Sequence, residues 1–128
     1  MGFPKRLQKT LDKMATGGDP PVLVVPALLQ RYSTERQMAM ARLGMEDTRV
    51  ESWLVATGKN IHFVRSGILW DKVQSIPLHT LTGVDYVDEF HNNALKLRVG
   101  EAAEKVIFYD DLDGVKFYRL MKDVLKDR

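Results

Sequence analysis

The feature that most constrains the fold is a series of short segments in which apolar and polar residues alternate. The series runs from about residue 35 to residue 109, each segment ends at a turn signal, and a single amphipathic stretch follows. Alternation with a period of two predicts half-buried β-strands, and short strands at regular spacing predict a barrel or a sandwich. A helix after the last strand can cover the open end of a strongly bent sheet. The sequence therefore predicts a mainly β fold that is completed by a helix.

The pattern predicts seven strands. They are ERQMAMARL (35–43), RVESWLVAT (49–57), IHFVR (61–65), KVQSIPL (72–78), LTGVDYVDEF (81–90), ALKLRV (94–99) and KVIFY (105–109). The turn TGKN between the second and third strands is expected to use positive φ angles, which Gly58 and Asn60 tolerate. The histidine of IHFVR, His62, is expected to face solvent because it alternates with two apolar residues.

Helical segments flank the predicted strands. The last segment, residues 110–128, places apolar residues at helical spacing, and Asp110 or Asp111 is suited to cap it. Near the other end, PKRLQKTLDKMAT (4–16) predicts a helix that GGDPP (17–21) ends. A short helix is also predicted from Pro26. We accordingly divide the chain into an N-terminal helical arm, residues 1–34, which is not an independent domain, and a β-rich domain, residues 35–128.

Composition excludes several classes of protein. The chain has 128 residues, which suits one domain, and no cysteine, so disulfides and sulfur-ligated zinc are excluded. Its formal net charge is only +2, which does not predict nucleic-acid binding. The longest apolar run, from Val22 to Leu29, is far shorter than the roughly 20 residues that cross a membrane. We expect a cytoplasmic protein.

The sequence carries no sign of catalytic chemistry. His62, His79 and His91 match no metal-ligand spacing. The serines at positions 33, 52, 66 and 75 lie in no nucleophile motif, and no glycine-rich phosphate loop is present. We therefore predict that the protein is not an enzyme and needs no cofactor or metal.

Several of these segments together resemble a known family. WLVATGKNIHFV (53–64), VQSIPLHTLTGVDY (73–86), ALKLRV, VIFY and the final helix are similar to the bacterial pleckstrin-homology-like group often called YokE-like PH domains. The similarity covers roughly residues 35–127. It departs from that family at the hairpin turn, where TGKN replaces the common TNKR, and it leaves the N-terminal arm unexplained.

The resemblance implies a PH-like fold, a bent seven-stranded barrel or sandwich capped by a C-terminal helix. In PH domains that bind inositol phosphates, the loop between the first two strands supplies several basic residues. The matching loop here, residues 43–49, contains Glu46 and Asp47, whose charges repel a polyphosphate. We therefore expect no phosphoinositide binding at this loop.

Two segments are candidate contact surfaces. The first is the loop GILW, where an exposed Ile68, Leu69 and Trp70 would mark a partner or membrane contact. The alternative is that Trp70 covers the barrel core. The second is the arm, which holds five of the basic and two of the acidic side chains within residues 1–34. Its candidate contact residues are Phe3, Lys5, Arg6, Leu7, Lys9, Leu11 and Lys13. The alternative is that its apolar stripe packs on the barrel or on a neighbouring subunit.

Two functions compatible with this pattern are retained. The leading hypothesis is a non-catalytic interaction module that binds a protein partner or forms a homo-oligomer. The second is a peripheral membrane adaptor whose basic amphipathic helix binds anionic lipid. A third hypothesis, a small-molecule or hydrolytic function in a pocket of the barrel, would need convergent polar groups in a cavity.

Overall fold

A computed structural model describes residues 4–32, 50–66, 71–86, 94–100 and 102–126 of the chain. The elements, in chain order, are α1 (Lys5–Thr16), β1 (Pro21–Tyr32), β2 (Val50–Thr57), β3 (Asn60–Ser66), β4 (Asp71–Pro77), a short 3-10 helix (Leu78–Thr80), β5 (Leu81–Tyr86), β6 (Ala94–Val99), β7 (Ala102–Phe108) and α2 (Asp111–Lys126). The first predicted strand, residues 35–43, and the acidic loop 43–49 lie outside the described residues.

The seven strands form one antiparallel sheet in the order β4-β3-β2-β1-β7-β6-β5. Strand β1 is long enough to pair with two partners over different parts of its length. It pairs with β2 from Pro21 to Leu29 and with β7 from Ala27 to Tyr32. Because β1 bridges two groups of strands, β2–β4 lie on one side of it and β5–β7 on the other.

The position of β1 corrects the sequence prediction for this segment. A helix was predicted from Pro26, but residues 21–32 are strand and lie in the middle of the sheet. Pro26 lacks an N–H group and is the register partner of Trp53 on β2, but β7 pairs with β1 only from Ala27 onward, so no strand on that side needs an N–H from position 26. Residues 21–32 thus belong to the sheet, although the predicted arm of residues 1–34 included them.

One main hydrophobic core fills the concave side of the sheet, and α2 covers it. Phe117 and Met121 of α2 are fully buried, and the ring centroids of Phe117 and Phe108 lie 5.6 Å apart. The core comprises Val25, Ala27, Leu29, Leu54, Ala56, Ile61, Phe63, Ile76, Leu78, Leu81, Val84, Leu95, Leu97, Val106, Phe108, Phe117 and Met121. The predicted role of the C-terminal helix as a cover for the sheet is confirmed.

The start of α2 is capped by Asp110, one of the two predicted candidates. Its Oδ1 accepts a hydrogen bond of 2.9 Å from the N–H of Leu112, and its carbonyl accepts from the N–H of Asp113. This satisfies donors that the first turn of a helix leaves unpaired.

The turn between β2 and β3 works differently from the prediction. Positive φ angles in the described residues occur only at Gly18 and Gly100, so neither Gly58 nor Asn60 uses one. Instead, the Thr57 hydroxyl accepts hydrogen bonds from the N–H groups of Lys59 and Asn60, at 3.1 and 2.9 Å. Hydrogen bonds to a side chain, and not a left-handed backbone conformation, therefore hold this turn.

Helix α1 lies on the opposite, outer face of the sheet. Leu7 and Leu11 pack against Val55 of β2 and Val64 of β3, and all four are buried. They form a second, smaller core that is separate from the one under α2. Of the two alternatives for the apolar stripe of the arm, the structure shows packing on the chain's own sheet.

Candidate functional site

A groove opens on the outer face of the sheet. It has a volume of about 480 Å³ and is lined by Pro26, Glu51, Ser52, Trp53, Val64, Arg65 and Tyr109. Strands β1, β2 and β3 form the floor of the groove. Tyr109, the first residue after β7, forms part of its wall. We call this surface the Tyr109 groove.

Aromatic and charged side chains define the chemistry of the Tyr109 groove. Tyr109 is 58% exposed, and its hydroxyl lies 3.5 Å from Oε1 of Glu51. Partial desolvation, together with the nearby Glu51 carboxylate, raises the pKa of Tyr109 above its ordinary value, so it remains a neutral phenol. Leu112, three residues further on, is 66% exposed. Leu112 is not part of the groove lining, but an exposed aromatic side chain such as Tyr109 in a groove is typical of a contact surface.

Two opposite charges line the same groove. Glu51 and Arg65 are both exposed, and neither forms an ion pair with another residue in the described part of the chain. Glu51 shares the outer face of β2 with Trp53 and also accepts the long hydrogen bond from Tyr109, whereas Arg65, two residues after Phe63 on β3, borders the groove at the end of its strand. A ligand that satisfies both must present a positive and a negative group.

A cationic surface lies on α1. Lys5, Arg6, Lys9 and Lys13 are exposed, whereas Leu7 and Leu11 face the sheet. The only acidic residue of this helix, Asp12, accepts a hydrogen bond from Gln8. The exposed side of α1 therefore presents mainly positive charge, and its apolar stripe is not available for membrane insertion while α1 stays on the sheet.

A third polar feature, the Ser75–His62–Asp19 cluster, joins the end of α1 to the sheet. Nε2 of His62 lies 2.9 Å from Oδ2 of Asp19, and Nδ1 lies 2.6 Å from Oγ of Ser75. Asn60 donates a further hydrogen bond to the same Oδ2 of Asp19. His62 is 8% exposed, so the prediction that it faces solvent was wrong. Its side of β3 is covered by the segment that follows α1.

The Asp19 carboxyl is held in its charged form. Burial acts to raise its pKa, but hydrogen bonds from the Thr57 hydroxyl, His62 and Asn60 and the electrostatic effect of His62 outweigh burial. The pKa of Asp19 consequently lies below its ordinary value of 3.8. An ionised Asp19 fixes the segment between α1 and β1 to β3.

Asp19→Asn is expected to make the free energy of unfolding less sensitive to acid. Because the pKa of Asp19 is lower in the folded chain, its carboxylate stabilises the fold above about pH 4, and this contribution disappears as pH falls through the folded-state value. Urea unfolding of both proteins at about pH 6 and about pH 3 measures the effect. The free energy of unfolding of the wild type should exceed that of the variant by more at about pH 6 than at about pH 3.

Asp113 contributes to the pH dependence of stability with the opposite sign. Burial and the neighbouring Asp110 raise the pKa of Asp113, so its ionisation destabilises the fold as pH rises. This opposite contribution is present in both proteins and cancels in the comparison. An equal difference between wild type and variant at both pH values would contradict the assigned role of Asp19.

The sequence-predicted surfaces have different outcomes. Ile68, Leu69 and Trp70 lie outside the described residues, as does Phe3, so their contact roles stay predictions. The structure brings none of the exposed cations of α1 into the groove lining. Sequence reasoning missed the groove because Glu51, Arg65 and Tyr109 come from three separate segments. Within the described ranges, no three histidine or carboxylate side chains converge to hold a metal ion.

This chain resembles known proteins in structure but not in sequence. No family model and no curated protein sequence matches this chain. Among solved structures, the DH/PH fragment of PDZRHOGEF in complex with human RhoA superposes with a TM-score of 0.66 at 6% identity, over 98% of this chain and 34% of that one. The linker-DH/PH domains of p115-RhoGEF give 0.61 at 10% identity, over 86% and 30%.

A third structure matches over nearly its whole length. Inner membrane complex sub-compartment protein 3 from Toxoplasma gondii gives a TM-score of 0.56 at 14% identity, over 99% of this chain and 89% of that one. The chain has a pleckstrin-homology-like fold. The comparisons do not test membership of the YokE-like group, which stays a prediction. This PH-like chain spans about a third of the DH/PH fragments, and identities this low establish the fold alone.

No helix among the described residues of the PH-like domain is long and apolar enough to cross a membrane.

Proposed function

We propose that this chain is a non-catalytic PH-like interaction module that self-associates through the Tyr109 groove. The observation that carries the proposal is an exposed Tyr109 in a groove that two opposite charges line, Glu51 and Arg65, neither of which forms an ion pair within the described residues. PH-like folds occur in solved complexes with proteins, as in the DH/PH fragment with RhoA, which supports a protein partner in general.

A second copy of the chain fits the charges of the groove. In a two-fold dimer the same surface of both subunits forms the interface. If Glu51 of one copy contacts Arg65 of the second copy, then Arg65 of the first copy also contacts Glu51 of the second. The same contact covers Tyr109 on both subunits. The formal net charge of +2 opposes such association only weakly.

Charge reversal at either residue is expected to weaken self-association. Glu51→Arg or Arg65→Glu places like charges opposite each other, and we expect the dimer dissociation constant to rise at least about tenfold, equivalent to about 1.4 kcal/mol. Sedimentation equilibrium over a range of protein concentrations measures it. Lys9→Glu, a reversal at an exposed site outside the groove lining, serves as the matched control and should leave the constant unchanged.

The competing function is peripheral attachment to an anionic membrane through α1. The four exposed cations of this helix favour it, and each basic group near an anionic surface contributes about 1 kcal/mol. Because Leu7 and Leu11 are buried, this binding would be electrostatic and would weaken as salt screens charges beyond about 10 Å at 0.1 M.

Co-sedimentation with vesicles distinguishes the two functions. Under the membrane hypothesis, the protein binds phosphatidylserine-containing vesicles at low salt, binding fades at high salt, and the double variant Lys9→Glu, Lys13→Glu fails to bind. Neutral phosphatidylcholine vesicles are the control. Our proposal expects no difference between the two kinds of vesicle, and salt-sensitive binding lost in the double variant would favour the membrane function.

A further inference from the structure

The Ser75–His62–Asp19 cluster contains reactive groups that self-association does not use. Its hydrogen bonds fix where the protons lie. An ionised Asp19 is only an acceptor, so in the neutral ring of His62 it is Nε2 that carries the proton and donates it. Nδ1 then has a free lone pair, and the only proton available for the 2.6 Å contact belongs to the Ser75 hydroxyl. Ser75 therefore donates to a histidine that a carboxylate orients.

This arrangement is that of an activated nucleophile. A hydroxyl within hydrogen-bond reach of a base, with the base oriented by a third group, is the arrangement by which serine becomes reactive. In serine hydrolases the carboxylate contacts Nδ1 and the serine contacts Nε2. Here the two nitrogens are exchanged, but either nitrogen acts as a base when the other carries the proton.

Access to the hydroxyl is open from solvent. Ser75 is exposed on β4, whereas His62 behind it is buried, so a reagent can reach Oγ while the base stays shielded. Val73, two positions earlier and on the same face of the strand, is 43% exposed. It offers an apolar surface beside Oγ, which suits the hydrocarbon part of an acyl group.

We propose that Ser75 is a nucleophile, activated by His62, that accepts an acyl group from an activated ester or thioester. Oγ of Ser75 forms a bond to the acyl carbon, and the bond from that carbon to the leaving oxygen or sulfur breaks. The hydroxyl proton passes to Nδ1 of His62 and then to the leaving group. No electrons are gained or lost, and the product is an O-acylserine on an otherwise unchanged chain. This is a single modification of the interaction module.

The test uses two serine-directed probes on the full chain. p-Nitrophenyl acetate supplies the acyl group, and a fluorophosphonate detects an activated serine without depending on acyl chemistry. Peptide mapping by mass spectrometry assigns the modified residue. We expect Ser75 to be labelled by both probes, with labelling abolished in Ser75→Ala and slowed by about 10²-fold or more in His62→Gln.

Controls separate activation from simple exposure. Thr82 is an exposed hydroxyl that donates to the backbone carbonyl of Arg98 and has no histidine partner, so Thr82→Ala should leave labelling unchanged. Circular dichroism establishes that each variant is folded. Because Ser75 is exposed, Ser75→Ala should fold even if a variant at buried His62 does not. In that case, labelling of Ser75 in the wild type and its loss in Ser75→Ala test the proposal. Absence of label on Ser75 in folded wild type, or equal rates in folded His62→Gln, would overturn the proposal.

Discussion

Phe117→Ala is expected to lower the free energy of unfolding by about 3–5 kcal/mol, the typical cost of removing a buried phenylalanine side chain. Phe117 is fully buried, and its ring packs at 5.6 Å from that of Phe108. Its loss leaves a cavity at the junction of α2 and the sheet, which the surrounding strands fill only partly. Urea unfolding followed by circular dichroism measures the change.

The matched control for this substitution lies two residues further along α2. Arg119 is exposed on the same helix, so Arg119→Ala should change the free energy of unfolding by no more than about 0.5 kcal/mol. A small effect of Phe117→Ala, similar to that of the control, would mean that α2 does not cover the core as described.

Leu11→Ala is expected to cost about 2–5 kcal/mol, the usual range for a buried leucine. Leu11 is 6% exposed and, with Leu7, attaches α1 to Val55 and Val64 on the outer face of the sheet. The effect should be strongest for α1 itself, because the main core lies on the other side of the sheet. Hydrogen exchange should show faster opening of α1 amides while the strands stay protected.

Lys9→Ala provides the comparison for this prediction. Lys9 is exposed on the same helix, so its replacement should leave both the unfolding free energy and the exchange of α1 amides nearly unchanged. Unaltered α1 exchange in Leu11→Ala would contradict attachment of the helix through its leucine stripe.

The sequence predicted most elements that have one polar face. Strand β6 illustrates this: Leu95 and Leu97 are buried, and the alternation with Lys96 and Arg98 is visible in the sequence. The cap at Asp110 could also be predicted, because the residue types at the start of a helix give a local signal.

Strand β1 escaped prediction because it is largely shielded on both faces. Its segment reads as a continuous apolar run, which periodicity cannot distinguish from a helix. Only the register shows that Pro26 can be accommodated, since β7 pairs from Ala27 onward. That information is absent from local sequence.

The polar features depend on contacts between distant segments. His62 and Ser75 meet because they are register partners across β3 and β4, and Asp19 reaches them from a segment read only as a helix stop. In the same way, Glu51, Arg65 and Tyr109 converge through strand pairing. No local motif marks either site, so topology was needed to find them.

The most direct test of the interaction role is a charge exchange across the Tyr109 groove. Sedimentation equilibrium would compare the wild type, Glu51→Arg, Arg65→Glu and the double variant. We expect the wild type to self-associate and each single variant to associate more weakly. Association should recover in the double variant, because the exchanged charges again face each other. A wild type that stays monomeric at its highest soluble concentration, or a double variant no better than the singles, would contradict it.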